Sequence, residues 1–259
     1  MRSETWQLRN RLAAIPDAVA LASFAAVFLF FALAADHFLT PLSIANILTF
    51  ASITGIVVVG VAILMISGEF DLSVGSTFAV ASYVFAISLI AQISPLLSLL
   101  AALVVSCLLG LLNGLIVTRT GIPSFITTLG TMLAYRGIAR VIGGSDFAFY
   151  TGEPPLLFRV LNGPLDSLNR LSFPASTFRV SILWFLAIAI LLALVLRRTR
   201  YGNWVFATGG NRGAALSLGV PVRRVVVANF VLSGLLAGVA SVLQFAHRSS
   251  VDPLRGEGM

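Results

Sequence analysis

The sequence predicts an all-α, polytopic transmembrane helical bundle, and three observations support that prediction. The chain of 259 residues is 58% hydrophobic, only 10% of its residues are charged, and its mean hydropathy is +0.99. Soluble domains average about 25% charged residues, so too few polar residues remain here to cover a soluble surface. Seven apolar runs are long enough to cross a bilayer core of about 30 Å, which requires about 20 residues per helix.

The apolar runs define the spans in chain order, and they lie near 18–36, 44–66, 74–93, 95–117, 123–142, 181–196 and 225–246. The first run is longer than the apolar core of a signal peptide, which has about 7–15 residues, so we interpret it as a retained span. Pro95 and Pro123 stand at span starts, where a missing amide costs least. Small residues that allow helices to pack closely occur in Gly110-xxx-Gly114 and Gly234-xxx-Gly238.

Arginine placement predicts the orientation of the bundle, because positive charge concentrates in cytoplasmic loops. The net charge of +7 comes entirely from arginine, since the chain contains no lysine. If the spans alternate, three groups of arginines fall on one side: Arg2, Arg9 and Arg11; Arg119; and Arg197, Arg198, Arg200, Arg212, Arg223 and Arg224. We therefore predict a cytoplasmic N-terminus, a cytoplasmic loop over 197–224, and an external folded loop over 145–179 with a short surface helix at 156–162.

The residue types exclude several kinds of chemistry. Without lysine, the chain has no P-loop lysine to reach nucleotide phosphates and no amine for a Schiff base. Cys107 is the single cysteine, and His37 and His247 lack any metal-ligand spacing, so we predict neither a metal site nor catalytic residues. Because the arginines lie beside hydrophobic spans, they indicate contact with membrane lipids and argue against nucleic-acid binding.

One polar stretch, ISGEFDLSVGST at 66–77, interrupts the apolar pattern. Glu69 and Asp71 carry the only formal charges between the start of the second span and the end of the fourth. A carboxylate within the membrane costs several kcal/mol and usually faces a bundle interior or a pathway. Opened backbone is tolerated there only where it is buried or lines a wet cavity. We predict a broken or re-entrant segment near 68–76 that lines or supports a conduit; the alternative is a short polar turn at the cytoplasmic surface.

Three stretches resemble the permease subunits of bacterial ABC importers, specifically the ribose-type sugar group. They are GEFDLSVGS (68–76), GLLNGLIVTRTGIPSFITTLGTMLAYRGIARVI (110–142) and RRTRYGNWVFATGGNRGAALSLGVPVRRV (197–225), and the similarity runs from about residue 44 to the last residue. The resemblance implies a permease of the bacterial inner membrane that forms its pore with a second copy, either identical or a paralogue. It also implies that cytoplasmic ABC ATPase subunits hold the ATP and Mg²⁺, that this chain binds no cofactor, and that a periplasmic sugar-binding protein delivers the substrate.

The resemblance also implies roles for individual residues. The positions expected along the translocation pathway are Asp71, Ser73, Gly75, Ser76, Asn113, Thr127, Thr128 and Thr131. The segment NRGAALSLGV (211–220) is similar to the coupling helix that docks on the ATPase, with expected contacts at Asn211, Ala214, Ala215, Leu218 and Gly219. Asn211 is a good N-cap and Gly219 is placed to end the helix. Apolar surface for the ATPase is expected from Ala215, Leu216 and Leu218, and contacts with its acidic groups from Arg212, Arg223 and Arg224.

The chain departs from the family pattern in two ways. Glu69 stands where many members carry glycine, which leaves its role open. The family normally continues beyond the segment 247–259 with further spans and a second glycine-rich break, so we expect 1–259 to be a single permease domain without those C-terminal spans. The expected solute is a monosaccharide such as a ribose-like pentose, a hexose or a polyol. The alternatives are an ABC permease for a nucleoside or branched-chain amino acid, and an ion-coupled secondary transporter that uses Glu69 and Asp71.

Overall fold

The computed structural model describes residues 18–144, 147–171, 176–252 and 256, and their regular structure is almost entirely helical. The helices are α1 (Ala18–Ala34), α2 (Pro41–Ile66), α3 (Val74–Ile90), α4 (Pro95–Thr120), α5 (Ser124–Gly143), α6 (Leu156–Asn162), α7 (Asp166–Leu171), α8 (Val180–Arg198), α9 (Arg200–Gly210), α10 (Arg212–Ser217) and α11 (Val222–Arg248). Two short strands, β1 (Ala148–Phe149) and β2 (Ser250–Val251), pair in antiparallel register.

Each of the seven predicted spans corresponds to one helix. In the described ranges, four helices are long and apolar enough to cross a bilayer by length and composition: α2, α4, α8 and α11. Helices α1 and α3 are apolar but shorter, with 17 residues each. The prediction of an all-α membrane bundle is confirmed. Arg2, Arg9 and Arg11, which contributed to the predicted orientation, lie outside the described residues.

Helix α11 forms the centre of the bundle and packs against α2, α3 and α4. Glycines allow the closest approach: a side chain at Gly110 of α4 would meet the carbonyl group of Phe230, and one at Gly234 would meet that of Ser106. The small-residue faces predicted from the sequence are therefore the surfaces on which α4 and α11 meet. Helix α3 lies between α4, α5 and α11, and it is buried continuously over residues 74–83.

The segment between α5 and α8 is folded onto one end of the bundle, which we call the strand end because β1 and β2 lie there. The surface helix predicted at 156–162 is present as α6. Phe158 of α6 is buried in a cluster with Phe85 and Phe245, and Asn162 Nδ2 donates a hydrogen bond of 3.0 Å to the carbonyl of Leu243. These contacts attach the segment to the end of α11.

The opposite end is the arginine end, where α4 stops, α9 and α10 lie, and α11 starts. Among the described residues, the cationic side chains at this end are Arg119, Arg197, Arg198, Arg200, Arg212, Arg223 and Arg224. Helix α9 is anchored there by Val205, which packs against Ile63 of α2 and Val225 of α11. The Tyr201 hydroxyl donates to Asn229 Oδ1 at 2.5 Å, and burial raises the pKa of Tyr201, so this donor keeps its proton at neutral pH.

We predict that Gly110→Ala lowers the stability of the bundle, whereas Gly137→Ala does not. The new methyl group at position 110 would collide with the backbone of α11, while the space beside Gly137 is open. Overpacking of this kind costs about 1–3 kcal/mol, and alanine is otherwise the better helix former. Thermal unfolding of the purified chain in detergent measures both effects. Equal melting temperatures for the two variants would show that α4 and α11 do not meet at Gly110.

Candidate functional site

The polar stretch forms a non-helical break between two helices. Helix α2 ends at Ile66 and α3 begins at Val74, so residues 67–73 constitute the break. Gly68 adopts φ +84°, a left-handed conformation that glycine takes without the strain of a side chain. An interruption was predicted near 68–76, and the structure places it at 67–73, where it joins α2 to α3 at the arginine end; that it lines a conduit stays a prediction.

A chain of buried hydrogen bonds fixes the end of the break that leads into α3. One carboxylate oxygen of Asp71 accepts from both the amide (2.8 Å) and the hydroxyl (2.7 Å) of Ser73. The Ser73 hydroxyl accepts from Asn113 Nδ2 at 2.7 Å, and Asn113 Oδ1 accepts from the Tyr135 hydroxyl at 3.0 Å. All four residues are buried. This polar network (Asp71, Ser73, Asn113 and Tyr135) connects the break to α4 and α5.

The start of α5 contacts the backbone of the break. The amide of Phe70 donates to the Ser124 hydroxyl at 3.0 Å, and the amide of Leu72 donates to the Thr128 hydroxyl at 3.1 Å. Amides that have left a helix are costly to bury without a partner, and these two side chains supply one to each. The break is therefore held against α5 by backbone contacts as well as through Tyr135.

The other end of the break contacts the segment that joins α9 to α10. Glu69 forms an ion pair with Arg212, the first residue of α10; 5% of the Glu69 side chain and 48% of the Arg212 side chain are exposed. Gly209 packs its backbone directly onto the carbonyl of Ile66, and a side chain at Gly68 would lie 3.6 Å from the Gly209 Cα. The buried carboxylate therefore has its charge partner on α10, and the break contacts the end of α9 and the start of α10 directly.

Helix α10 is short but capped at both ends. Asn211 Oδ1 accepts a hydrogen bond of 3.0 Å from the amide of Ala214, which is the geometry of an N-cap. Gly219 has φ +78°. The amides of Gly219 and Val220 each donate a hydrogen bond of 3.0 Å to a carbonyl of α10, as in a Schellman motif. The predicted capping and stop residues are confirmed in these local structural roles.

Some of the residues that were expected to contact a partner are exposed, and one is buried. Leu216 is 58% exposed and Leu218 is 83% exposed, but Ala215 is 2% exposed and faces the rest of the chain. All three residues were expected to provide exposed apolar surface. Leu216 and Leu218 do so, but Ala215 does not because it is buried. The other expected contacts are exposed: Asn211, Ala214 and Gly219.

The predicted pathway residues are only partly brought together. Asp71, Ser73 and Asn113 share the polar network, and Thr128 holds the backbone of the break. Gly75 and Ser76 are buried in the first turn of α3, whereas Thr127 is buried and Thr131 is partly exposed on α5. The hydroxyls of Ser76 and Thr127 make no hydrogen bond within the described ranges.

Sequence reasoning missed two contacts of the break and one contact between the helices beside it. Arg212 was expected to meet acidic groups of a partner, and it pairs with Glu69 of its own chain instead. Tyr135 and Ser124 were not singled out, because a single tyrosine or serine in a membrane span does not indicate which segment it will contact. Their contacts with Asn113 and Phe70 depend on how α5 packs.

Comparison with known proteins decides the family. A family model described as the permease component of branched-chain amino acid transport systems matches residues 43–259. The chain belongs to this permease family. Together with its apolar helices, this membership makes the permease a multi-pass membrane protein. No solved structure matches it significantly.

Individual relatives of the permease are sugar transporters by name. It is 30% identical over 233 residues to the D-allose transport system permease of Escherichia coli, a match that covers 90% of this chain and 68% of the relative. It is 31% identical to the L-arabinose ABC transporter permease of Azospirillum brasilense, covering 100% and 71% of the two chains. It is also 31% identical to the ribose import permease of Bacillus subtilis, covering 85% and 65%. The permease thus spans about two thirds of the length of these relatives.

We predict that Asn113→Leu destabilises the permease, because it leaves the buried Ser73 hydroxyl and Tyr135 hydroxyl each without one partner. Leaving a buried hydrogen-bonding group without its partner lowers the free energy of unfolding by about 1–3 kcal/mol. The control is Thr118→Val on the same helix, since the Thr118 hydroxyl donates to the Gly114 carbonyl of its own helix, at 2.7 Å, and to no other helix in the described part of the chain. Thermal unfolding in detergent compares the two variants, and an Asn113→Leu melting temperature equal to that of the control would contradict the polar network.

Proposed function

We propose that the permease is the membrane-spanning subunit of an ATP-driven ABC importer that moves a monosaccharide across the bacterial inner membrane. The observation that supports the coupling mechanism is the exposed, capped helix α10, which is joined to the break by Arg212 and Glu69. The substrate class is supported by relatives named for the transport of D-allose, L-arabinose and ribose. A pentose, a hexose or a related polyol fits that class.

The orientation that fits this function places the arginine end in the cytoplasm, because positive charge concentrates on that side of the membrane. The loop over 197–224, which contains α9 and α10, then faces the cytoplasm, and the loop over 145–179 faces the periplasm. A sugar-binding protein would deliver substrate at the strand end. The ATPase subunits, with their ATP and Mg²⁺, would dock at the arginine end. A second permease copy, identical or paralogous, would complete the pore.

In this mechanism α10 transmits the motion of the ATPase. Leu216 on α10 and Leu218 directly after it offer exposed apolar contacts, and the buried face of α10 moves with the rest of the segment. Arg212 passes the displacement to Glu69 at one end of the break. The break in turn carries the polar network at its other end, so that movement reaches α3, α4 and α5.

Around the break, the expected pathway residues would form a weakly polar region suited to a neutral sugar. Asp71, Ser73 and Asn113 fix its shape through the polar network. Ser76 and Thr127 add hydroxyl groups that make no hydrogen bond in the described part of the chain. We propose that these residues, with Gly75 and Thr131, border the route that opens when the break moves.

The ion-coupled alternative has less support, because both acids already have partners in the chain. Glu69 pairs with Arg212, and Asp71 accepts two hydrogen bonds from Ser73. An ion-coupled transporter would have to release one of these carboxylates to exchange a proton or Na⁺. Solute uptake driven by an ion gradient, with no ATPase present, would favour this alternative and contradict the proposed function.

We predict that Leu218→Glu weakens association with the ATPase by at least tenfold while the permease still inserts and folds. The change places a charge on Leu218, the exposed apolar residue directly after α10, and one well-placed apolar contact is worth about 1–2 kcal/mol at an interface. Leu156→Glu is the matched control, since Leu156 is 74% exposed on α6 at the strand end. Co-purification and ATPase titration against membranes measure both variants. Equal binding by the two would contradict docking at α10.

A further inference from the structure

A groove opens at the arginine end between the C-terminus of α4 and the N-terminus of α11. The two helices are in closest contact further into the bundle, where a side chain at Gly114 would lie 3.0 Å from the Val227 Cα. Between their ends lie two neighbouring cavities of about 630 and 440 Å³. Thr118, Arg223 and Arg224 line both, so we treat the cavities as one groove.

The mouth of this groove carries positive charge that the chain does not neutralise. Arg212 and Glu69 line the larger cavity and balance each other as an ion pair. Arg119, Arg223 and Arg224 are exposed, and across the described ranges none of them lies within salt-bridge distance of a carboxylate. Three guanidinium groups are therefore available to an anion.

The walls of the groove are apolar and lead into the membrane-spanning part of α4. Leu108, Leu112, Leu115 and Arg119 follow one another at helical spacing on a single face. Leu108 is 55% exposed and Leu112 is 47% exposed. On the α11 side, the smaller cavity is lined by Val227 and Ala228. A ligand that matches the groove has an anionic head and a long apolar tail.

We propose that this groove binds an anionic phospholipid, with its phosphate at Arg119, Arg223 and Arg224 and an acyl chain along α4. Guanidinium groups bind phosphate oxygens in bidentate geometry, and basic pockets between transmembrane helices on the cytoplasmic side bind anionic head groups. A free phosphate would leave the apolar wall uncovered, and so would an acidic protein surface that used only the charges. The lipid matches both parts. The site requires a cytoplasmic arginine end but does not depend on sugar import.

The test compares lipid binding by two double variants of the full chain, purified in detergent. Arg223→Gln/Arg224→Gln removes two charges from the groove. Arg197→Gln/Arg198→Gln removes two charges from the end of α8, at the same end of the bundle but away from the groove lining. Native mass spectrometry with phosphatidylglycerol, and with phosphatidylcholine as the neutral comparison, measures the bound lipid. At about 1 kcal/mol per arginine, we expect the groove variant to lose about tenfold or more in phosphatidylglycerol affinity and the α8 variant to lose little.

A second variant tests the apolar wall without changing charge. Leu112→Gln should weaken binding of long-chain phosphatidylglycerol by several fold while leaving the melting temperature of the chain near that of the wild type, because Leu112 is not part of the core. If Arg223→Gln/Arg224→Gln unfolds at a much lower temperature than the wild type, Leu112→Gln still tests whether the groove binds the lipid. Wild-type affinity for the long-chain lipid in Leu112→Gln would overturn the placement of the acyl chain.

Three further outcomes would overturn the proposal. Equal loss in the two arginine variants would indicate diffuse surface charge instead of a site. Displacement of phosphatidylglycerol by millimolar inorganic phosphate would indicate a soluble anion. Loss of ATPase association in Arg223→Gln/Arg224→Gln, with lipid binding unchanged, would assign the groove to the protein partner. Leu218→Glu changes no arginine of the groove and is tested by ATPase association alone, whereas the lipid site is tested by phosphatidylglycerol affinity, so failure of the lipid site and failure of the importer assignment can be told apart.

Discussion

A carboxylate buried in an apolar bundle needs a charge partner or hydrogen bonds, and Glu69 has a charge partner 143 positions further along the chain. Removing one partner of a fully buried pair costs about 3–5 kcal/mol, because the other charge is left uncompensated. The cost is lower here, since Arg212 is half exposed and solvent screens it. It still favours a structure in which α10 and the break stay together. The site that we propose for coupling depends on this ion pair.

The two acids of the polar stretch have different environments and different tasks. Glu69 faces the arginine end and joins the break to α10. Asp71 accepts hydrogen bonds from Ser73 and is the first member of the polar network, which continues to α4 and α5. The break is therefore fixed at both ends, with Ser124 and Thr128 holding the backbone between them. In the proposed mechanism, a short segment held in this way transmits displacement instead of absorbing it as a hinge would. That property is what an importer driven from one membrane face requires.

The sequence predicted those features that depend on neighbouring residues. Apolar runs located the spans, glycine and the acids located the break, and Asn211 and Gly219 located the caps of α10, because each signal is local. Sequence could not predict the partner of Glu69, since pairing with Arg212 follows from the packing of α9 against α2 and α11. The burial of Ala215 and the contact of Tyr135 with Asn113 depend on tertiary packing in the same way. The sequence did not reveal the internal partner of Arg212, because an exposed arginine in a basic loop carries no local sign of one.

Uptake of sugar per ATP hydrolysed, in the permease reconstituted with its ATPase and binding protein, tests the central claim most directly. Reversing one charge of the pair, by Glu69→Arg or Arg212→Glu, should lower this ratio at least tenfold while ATPase association persists. The combined reversal Glu69→Arg/Arg212→Glu restores opposite charges and should recover much of the ratio. If either single reversal keeps the wild-type ratio, or if the combined variant recovers nothing although it folds and assembles, the ion pair does not couple α10 to the break.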